Sequence, residues 1–221
     1  MVEGAEEVGG DVWPFSATPE LGSTEARLRK HVDMLAGVIG ERNVQRPGAL
    51  EAAARYIEDT FRGSGYTPRA QVFDAYGQSV RNIEVDVIGR RRPERIWILG
   101  AHYDTVEGSP GADDNASAVA GVLEAATLLA GARPRDTLRF VAFVNEEPPF
   151  YKGPKMGSVV YAGRCRERNE DLRGMVNLEM LGCFSDERGS QQVPYPLDRF
   201  PLKWLVPRRG NFIAFCGDGR S

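Results

Sequence analysis

One imidazole and a set of carboxylates fall at matching points along the chain. His102 and Asp104 come just after the apolar run Ile96-Trp97-Ile98-Leu99, and Asp113 and Asp114 lie in the Gly- and Asp-rich loop that opens the next helical pattern. Glu146 and Glu147 close the run Leu138–Val144, and Glu179 closes the run Met175–Leu178. Each fragment alone reads as ordinary. An isolated His-x-Asp is usually a satisfied surface or core histidine, Asp-Asp-Asn after Gly111 makes a turn and helix N-cap, and Glu-Glu makes a solvated pair. Their conjunction at successive strand ends is what points to chemistry, because the carboxyl ends of parallel strands share one rim, where ligands bind. Carboxylates so concentrated repel one another unless a cation sits among them. A divalent metal resolves that conflict, and His with Asp and Glu is a ligand set that suits zinc.

The elements that must position these residues read as follows. Leu28, Val32, Leu35 and Ile39 recur at helical spacing. Leu50, Ala54, Ile57 and Phe61 line one face of a second helix that stops at Gly63 and Gly65. Around Val80–Val87, apolar residues alternate with Glu84 and Asp86, which predicts a half-exposed strand at or near a sheet edge. Ile96–Leu99 and Leu138–Val144 are near-continuous apolar runs, the mark of strands covered on both faces. Between them Val119, Val122, Leu123, Ala126 and Leu129 share a helix face. A further helix opens at Ser158, a strand runs through Met175–Leu178, and a last short strand is expected over Phe212–Phe215. This alternation predicts an α/β/α sandwich with a mostly parallel central sheet. Residues 1–20 read as a loose N-terminal arm and residues 21–221 as one domain. Residues 183–210 carry Pro194, Pro196, Pro201 and Pro207 with little periodicity, in the manner of a binding loop.

Composition narrows the partners. With 28 Lys and Arg against 31 Asp and Glu, a net charge of −3 gives no electrostatic footprint for nucleic acid. The basic run Arg90–Arg92 with Arg95 reads as a solvated turn. Cys165, Cys183 and Cys216 are too few and too irregular for a disulfide framework or a thiolate zinc cluster. No apolar run approaches membrane-span length, and Met1–Gly10 lacks the pattern of a signal peptide. The chain as written is therefore expected to be cytoplasmic, and secreted if its start was trimmed.

Four ordered segments are recognisable. Ala101-His102-Tyr103-Asp104, Gly111-Ala112-Asp113-Asp114-Asn115-Ala116-Ser117, Asn145-Glu146-Glu147 and Asn177-Leu178-Glu179-Met180-Leu181-Gly182 together resemble the co-catalytic zinc aminopeptidases of peptidase family M28. The resemblance runs from about Leu21 to Phe215. It implies a zinc-exopeptidase-like fold, a peptide substrate and two zinc ions in the complete family site. It implies that His102 and Glu179 ligate one zinc, that Asp114 bridges both, and that Glu147 ligates the other. It further implies that Glu146 is the general base, that Asp104 holds the His102 ring, and that the Asp114–Asn115 peptide is cis.

This chain departs from the pattern twice. Many family members have Asp where it has Glu179. The family's last ligand is a downstream histidine, whereas this chain has two histidines in all, His31 and His102. His31, between Leu28 and Val32, reads as a boundary histidine on a helix rather than as a replacement ligand. The expectation is thus one well-formed zinc site and a domain lacking its last strands and helices. The alternatives are a catalytically weak or inactive zinc-binding homologue, a single-zinc cyclase or acyl-transfer relative, and a non-peptidase domain with an acidic patch.

Overall fold

The computed structural model describes residues 21–191, 199, 201 and 207–217. The expected arm over residues 1–20 lies outside them, as do Pro194, Pro196 and most of the middle of the 183–210 stretch. Helix α1 (Leu21–Val32) runs on into a π-helical turn, Asp33–Ile39. Helix α2 (Pro47–Gly63) has proline in its first turn, where no N–H partner is lost, and the chain leaves it through Gly65 at φ 88°. Strands β1 (Arg69–Ala75), β2 (Gln78–Val87) and β3 (Arg92–His102) follow. A π-helical turn, Ala112–Ser117, then leads into α3 (Ala118–Leu128). Strand β4 (Asp136–Phe143), helix α4 (Gly157–Glu167) and strand β5 (Asp171–Asn177) complete the order.

The sheet order is β1-β2-β4-β3-β5. β3 lies parallel to both β4 and β5, β2 is antiparallel to β1 and β4, and so four of the five strands run in one direction. One face carries α1, α2 and α3 over a core that includes Leu35, Ile57, Phe61, Ile83, Val85, Val122, Leu123 and Phe140. The other face carries α4, where Tyr161 and Cys165 pack on Ile96, Ile98, Val141 and Phe143. Full burial of each such apolar side chain contributes about 1.5–3 kcal/mol. The α/β/α sandwich read from the sequence is the observed architecture.

Three local expectations are corrected. β2 is not half-exposed, because the strand β1, unmarked in the sequence reading, forms the edge beside it. Glu84 is buried under α4, where Tyr161 Oη donates to it and Arg164 Nη2 lies at 2.6 Å, while Asp86 pairs with Arg139 at 2.8 Å. Trp97, midway along β3, is not covered on both faces but 44% exposed. Phe212–Phe215 forms no strand, and Phe215 is 91% exposed. A short apolar run needs a neighbouring strand to satisfy its backbone, and none of the described strands pairs with it. In the described part of the flanking stretch, Ser185 N–H donates to the Gly210 carbonyl at 2.9 Å, and Gly189 N–H to the Arg208 carbonyl at 2.7 Å. Among the described residues β5 is the sheet's second edge, with Leu172, Met175 and Val176 exposed. No helix among those residues is long and apolar enough to cross a membrane.

Candidate metal centre

Parallel pairing brings the ends of three strands to one rim. His102 is in register with Phe143 of β4, and Gly100 pairs with Asn177 of β5, with Leu178 N–H donating to the Gly100 carbonyl at 2.8 Å. His102, Asn145-Glu146-Glu147 and Glu179 therefore leave the sheet side by side. Asp114 reaches the same place from the turn before α3, which begins at Gly111 with φ 58°. A Cβ at Gly111 would lie 2.3 Å from the Asp114 carbonyl oxygen and 2.4 Å from Thr105 Cγ2, so only glycine fits there. The Asp114–Asn115 peptide is cis, as the resemblance implies, and so is Pro148–Pro149.

The buried His102 ring presents Nε2 to three acids. Asp114 Oδ1 lies 3.1 Å away, Glu179 Oε1 3.6 Å and Glu146 Oε2 3.9 Å. Ligating atoms of His102, Asp114 and Glu147 all fall within 4.8 Å of one another. The sequence reading grouped His102 and Asp114 with Glu179 instead. Glu179 borders the same ring, but its Oε2 accepts the Asn115 amide at 3.2 Å, which turns that oxygen toward the α3 turn. The same Asn115 side chain donates to the Leu178 carbonyl and accepts from Met180 N–H, so it fastens the Glu179 segment to the Asp114 turn. Asp113 and Ser117 add a second fastening, to Gly182 N–H at 2.7 Å and Leu181 N–H at 2.9 Å.

Asp104 does more than face the imidazole. His102 Nδ1 lies 3.2 Å from its carbonyl oxygen and 3.5 Å from its carboxylate, which accepts the backbone N–H groups of both Glu146 and Glu147 at 3.0 Å. Asn145, quoted only as part of the Asn145-Glu146-Glu147 segment, is buried at φ 58° with its amide nitrogen unpaired, and Arg42, which no sequence pattern marks, is fully buried behind the rim. Phe150 packs into the core and stacks on Tyr76, with ring centroids 5.9 Å apart. Tyr151 remains exposed, and Tyr76, at the β1–β2 turn, is 70% exposed.

Electrostatics fit a cation at this point. Burial opposes charging of the His102 imidazole, yet the Asp104, Asp114 and Glu179 carboxylates outweigh it and push its pKa up to about 12. A proton on Nε2 thus meets the field of the acids that a metal ion would otherwise neutralise. Burial, then the neighbouring acids, raises the Glu146 and Glu147 carboxyls, while the adjacent His102 ring lowers Asp114. Asp114 Oδ1 is buried with no hydrogen bond despite its closeness to Nε2. An orphaned carboxylate oxygen facing an imidazole nitrogen, with further carboxylates beside it, is a donor set that suits zinc. His31 is elsewhere, with Nδ1 2.6 Å from Tyr56 Oη and Nε2 3.3 Å from Glu124, and is no substitute ligand.

Relatives place the chain. It is 38% identical over 209 residues to the uncharacterised protein YfbL of Escherichia coli, a match covering 91% of this chain and 62% of that one. It is 31% identical over 129 residues to a probable zinc metalloprotease of Leptosphaeria maculans, covering 55% of this chain and 28% of that protein. The chain thus spans less than two thirds of these curated relatives. Its fold matches BSAP, a zinc aminopeptidase from Bacillus subtilis, with TM-score 0.66 at 16% identity, over 76% of this chain and 71% of BSAP. It also matches a glutaminyl cyclase from an Acidobacteriales bacterium with TM-score 0.61 at 19% identity, over 84% of this chain and 68% of the cyclase. With residues 82–198 matching the family model, the rim of His102, Asp114, Glu146, Glu147 and Glu179 sits inside the matched region, and the chain belongs to peptidase family M28.

Proposed function

We propose that this chain binds zinc through His102, Asp114, Glu147 and Glu179 and serves aminopeptidase-type hydrolysis, removing N-terminal residues from peptides. The observation that carries the reading is the orphaned Asp114 Oδ1, buried 3.1 Å from His102 Nε2 with Glu147 closing the group. Zinc held there supplies a Lewis acid and an acidified water. Glu146, half-buried on the rim and raised by burial, is the proton acceptor for the attacking water and the donor to the departing amine. A free peptide N-terminus is largely cationic at neutral pH, and the carboxylates of the rim favour it over an internal peptide segment. Exposed Tyr151 and Tyr76 are the candidates to contact the substrate's side chain. One zinc is expected to be held tightly. A second would find Asp114 and Glu147 without an imidazole, because His31 is engaged with Tyr56 and Glu124.

The test is hydrolysis of leucine p-nitroanilide by the zinc-loaded chain. Release is expected to be weak, abolished by a chelator, and reduced at least about 10²-fold in Glu146→Gln, with zinc retained. Near-normal turnover in that variant would remove Glu146 from the reaction. Cyclisation of an N-terminal glutamine peptide without hydrolysis would place the chain with the cyclases instead.

A further inference from the structure

Arg42 precedes the N-terminus of α2, and the zinc-site reading gives it no role. Its side chain is fully buried, yet its guanidinium bonds carbonyl oxygens rather than carboxylates. Nε donates to the Tyr103 carbonyl at 2.7 Å. Nη1 donates to Pro110 at 2.6 Å, Gly40 at 3.1 Å and Leu35 at 3.2 Å, and Nη2 to Gly111 at 2.9 Å. The backbone of Arg42 is fixed to the same loop, because its N–H donates to Thr105 Oγ1 and its carbonyl accepts from Thr105 N–H, each at 3.1 Å.

These partners are not scattered. Tyr103 follows His102 directly, and Pro110 and Gly111 lead into Asp114. The segment joining them, residues 103–111, has no helix or strand to hold its shape. We propose that Arg42 is a positioning residue for the metal centre, one planar guanidinium tying together the two ends of the loop that separates His102 from Asp114. The inference rests on the zinc-site reading above.

Other residue types do not fit this task. Burying a charge without a carboxylate costs several kcal/mol, so a purely structural plug would be apolar. Lysine offers three donors on one atom and cannot span carbonyls from Leu35 to Gly111, whereas arginine presents five in a fixed plane. The buried charge also faces the acids of the rim. Burial pulls the Arg42 pKa down to about 10, and the Asp104 and Asp114 carboxylates act against that, so it remains a cation at neutral pH. Arg42 therefore sets the spacing of two ligands and offsets part of the repulsion among the acids.

Zinc affinity, measured by competition with a chromophoric chelator, tests this in Arg42→Lys, with near-UV circular dichroism of the zinc-free chain as the check on folding. The Co²⁺-substituted d–d spectrum reports ligand geometry. Folded Arg42→Lys is expected to bind zinc about 10–100-fold more weakly, with an altered cobalt spectrum. A role in stability alone would lower the unfolding midpoint and leave both metal readouts unchanged, which would overturn the proposal. If Arg42→Lys does not fold, Thr105→Val replaces it. That variant loses one anchor of Arg42 and is expected to bind zinc about fivefold more weakly, the worth of one hydrogen bond. Unchanged affinity there would likewise overturn the proposal. Absence of zinc binding by the wild-type chain would overturn the zinc-site reading and this inference together, whereas an unchanged variant overturns this one alone.

Discussion

Asp104 accepts the backbone N–H of Glu147 at 3.0 Å with one carboxylate oxygen, while its other oxygen accepts the N–H of Glu146 at the same distance. The end of β3 thereby holds the backbone from which both glutamates project. Asp104→Asn replaces one acceptor with an amide NH2 facing an N–H, so one of the two bonds becomes a repulsive contact. The expected outcome is a folded chain whose zinc affinity falls about 10–100-fold. Chelator competition on wild type and variant measures it, and equal affinities would show that Asp104 does not organise the site.

Gly111→Ala is expected to act through the backbone alone. The residue sits at φ 58°, and a Cβ would come within 2.3 Å of the Asp114 carbonyl oxygen. Either the turn moves, taking Asp114 with it, or the strain stays. The cost is expected to be about 2 kcal/mol or more. Thermal unfolding of the zinc-free variant measures this, and an unchanged midpoint would mean the turn is not held as described.

Much of the site was legible because each of its acids, and its histidine, marks a strand end or a helix start, where an apolar run breaks into polar residues. The same logic failed for β2. Glu84 and Asp86 alternate with apolar residues as solvent-facing groups do, but Arg139 and Arg164, which neutralise them, arrive from β4 and α4. Edge strand β1 was invisible because Arg69–Ala75 mixes polar residues with Val72 and Phe73 and is mostly exposed. Phe212–Phe215 has strand propensity without a partner strand among the described residues. Arg42 left no trace, since an arginine in a loop reads as solvated until its carbonyl partners are assembled in space.

Acid sensitivity is predicted at His31. Burial pushes its pKa below the ordinary 6.5, with the Glu124 hydrogen bond acting against that and Lys30 and Arg27 adding to it. The folded chain therefore keeps a neutral imidazole where the unfolded chain takes up a proton. The stability this contributes is present above about pH 6.5 and is lost as pH falls through the lowered folded value. Unfolding midpoints of the zinc-free chain between about pH 7.5 and 5 should fall, and fall less steeply in His31→Gln. Parallel curves would assign the sensitivity to other groups.

Zinc content after exhaustive dialysis, measured by elemental analysis of wild type, His102→Ala and Asp114→Asn, decides whether this rim is a metal centre. Roughly one zinc per wild-type chain is expected, because three to four N and O ligands suffice for one tight tetrahedral site. Both variants are expected to lose that zinc, with near-UV circular dichroism unchanged. A wild-type chain that retains no zinc, or variants that retain it undiminished, would contradict the assignment of this rim as a metal centre.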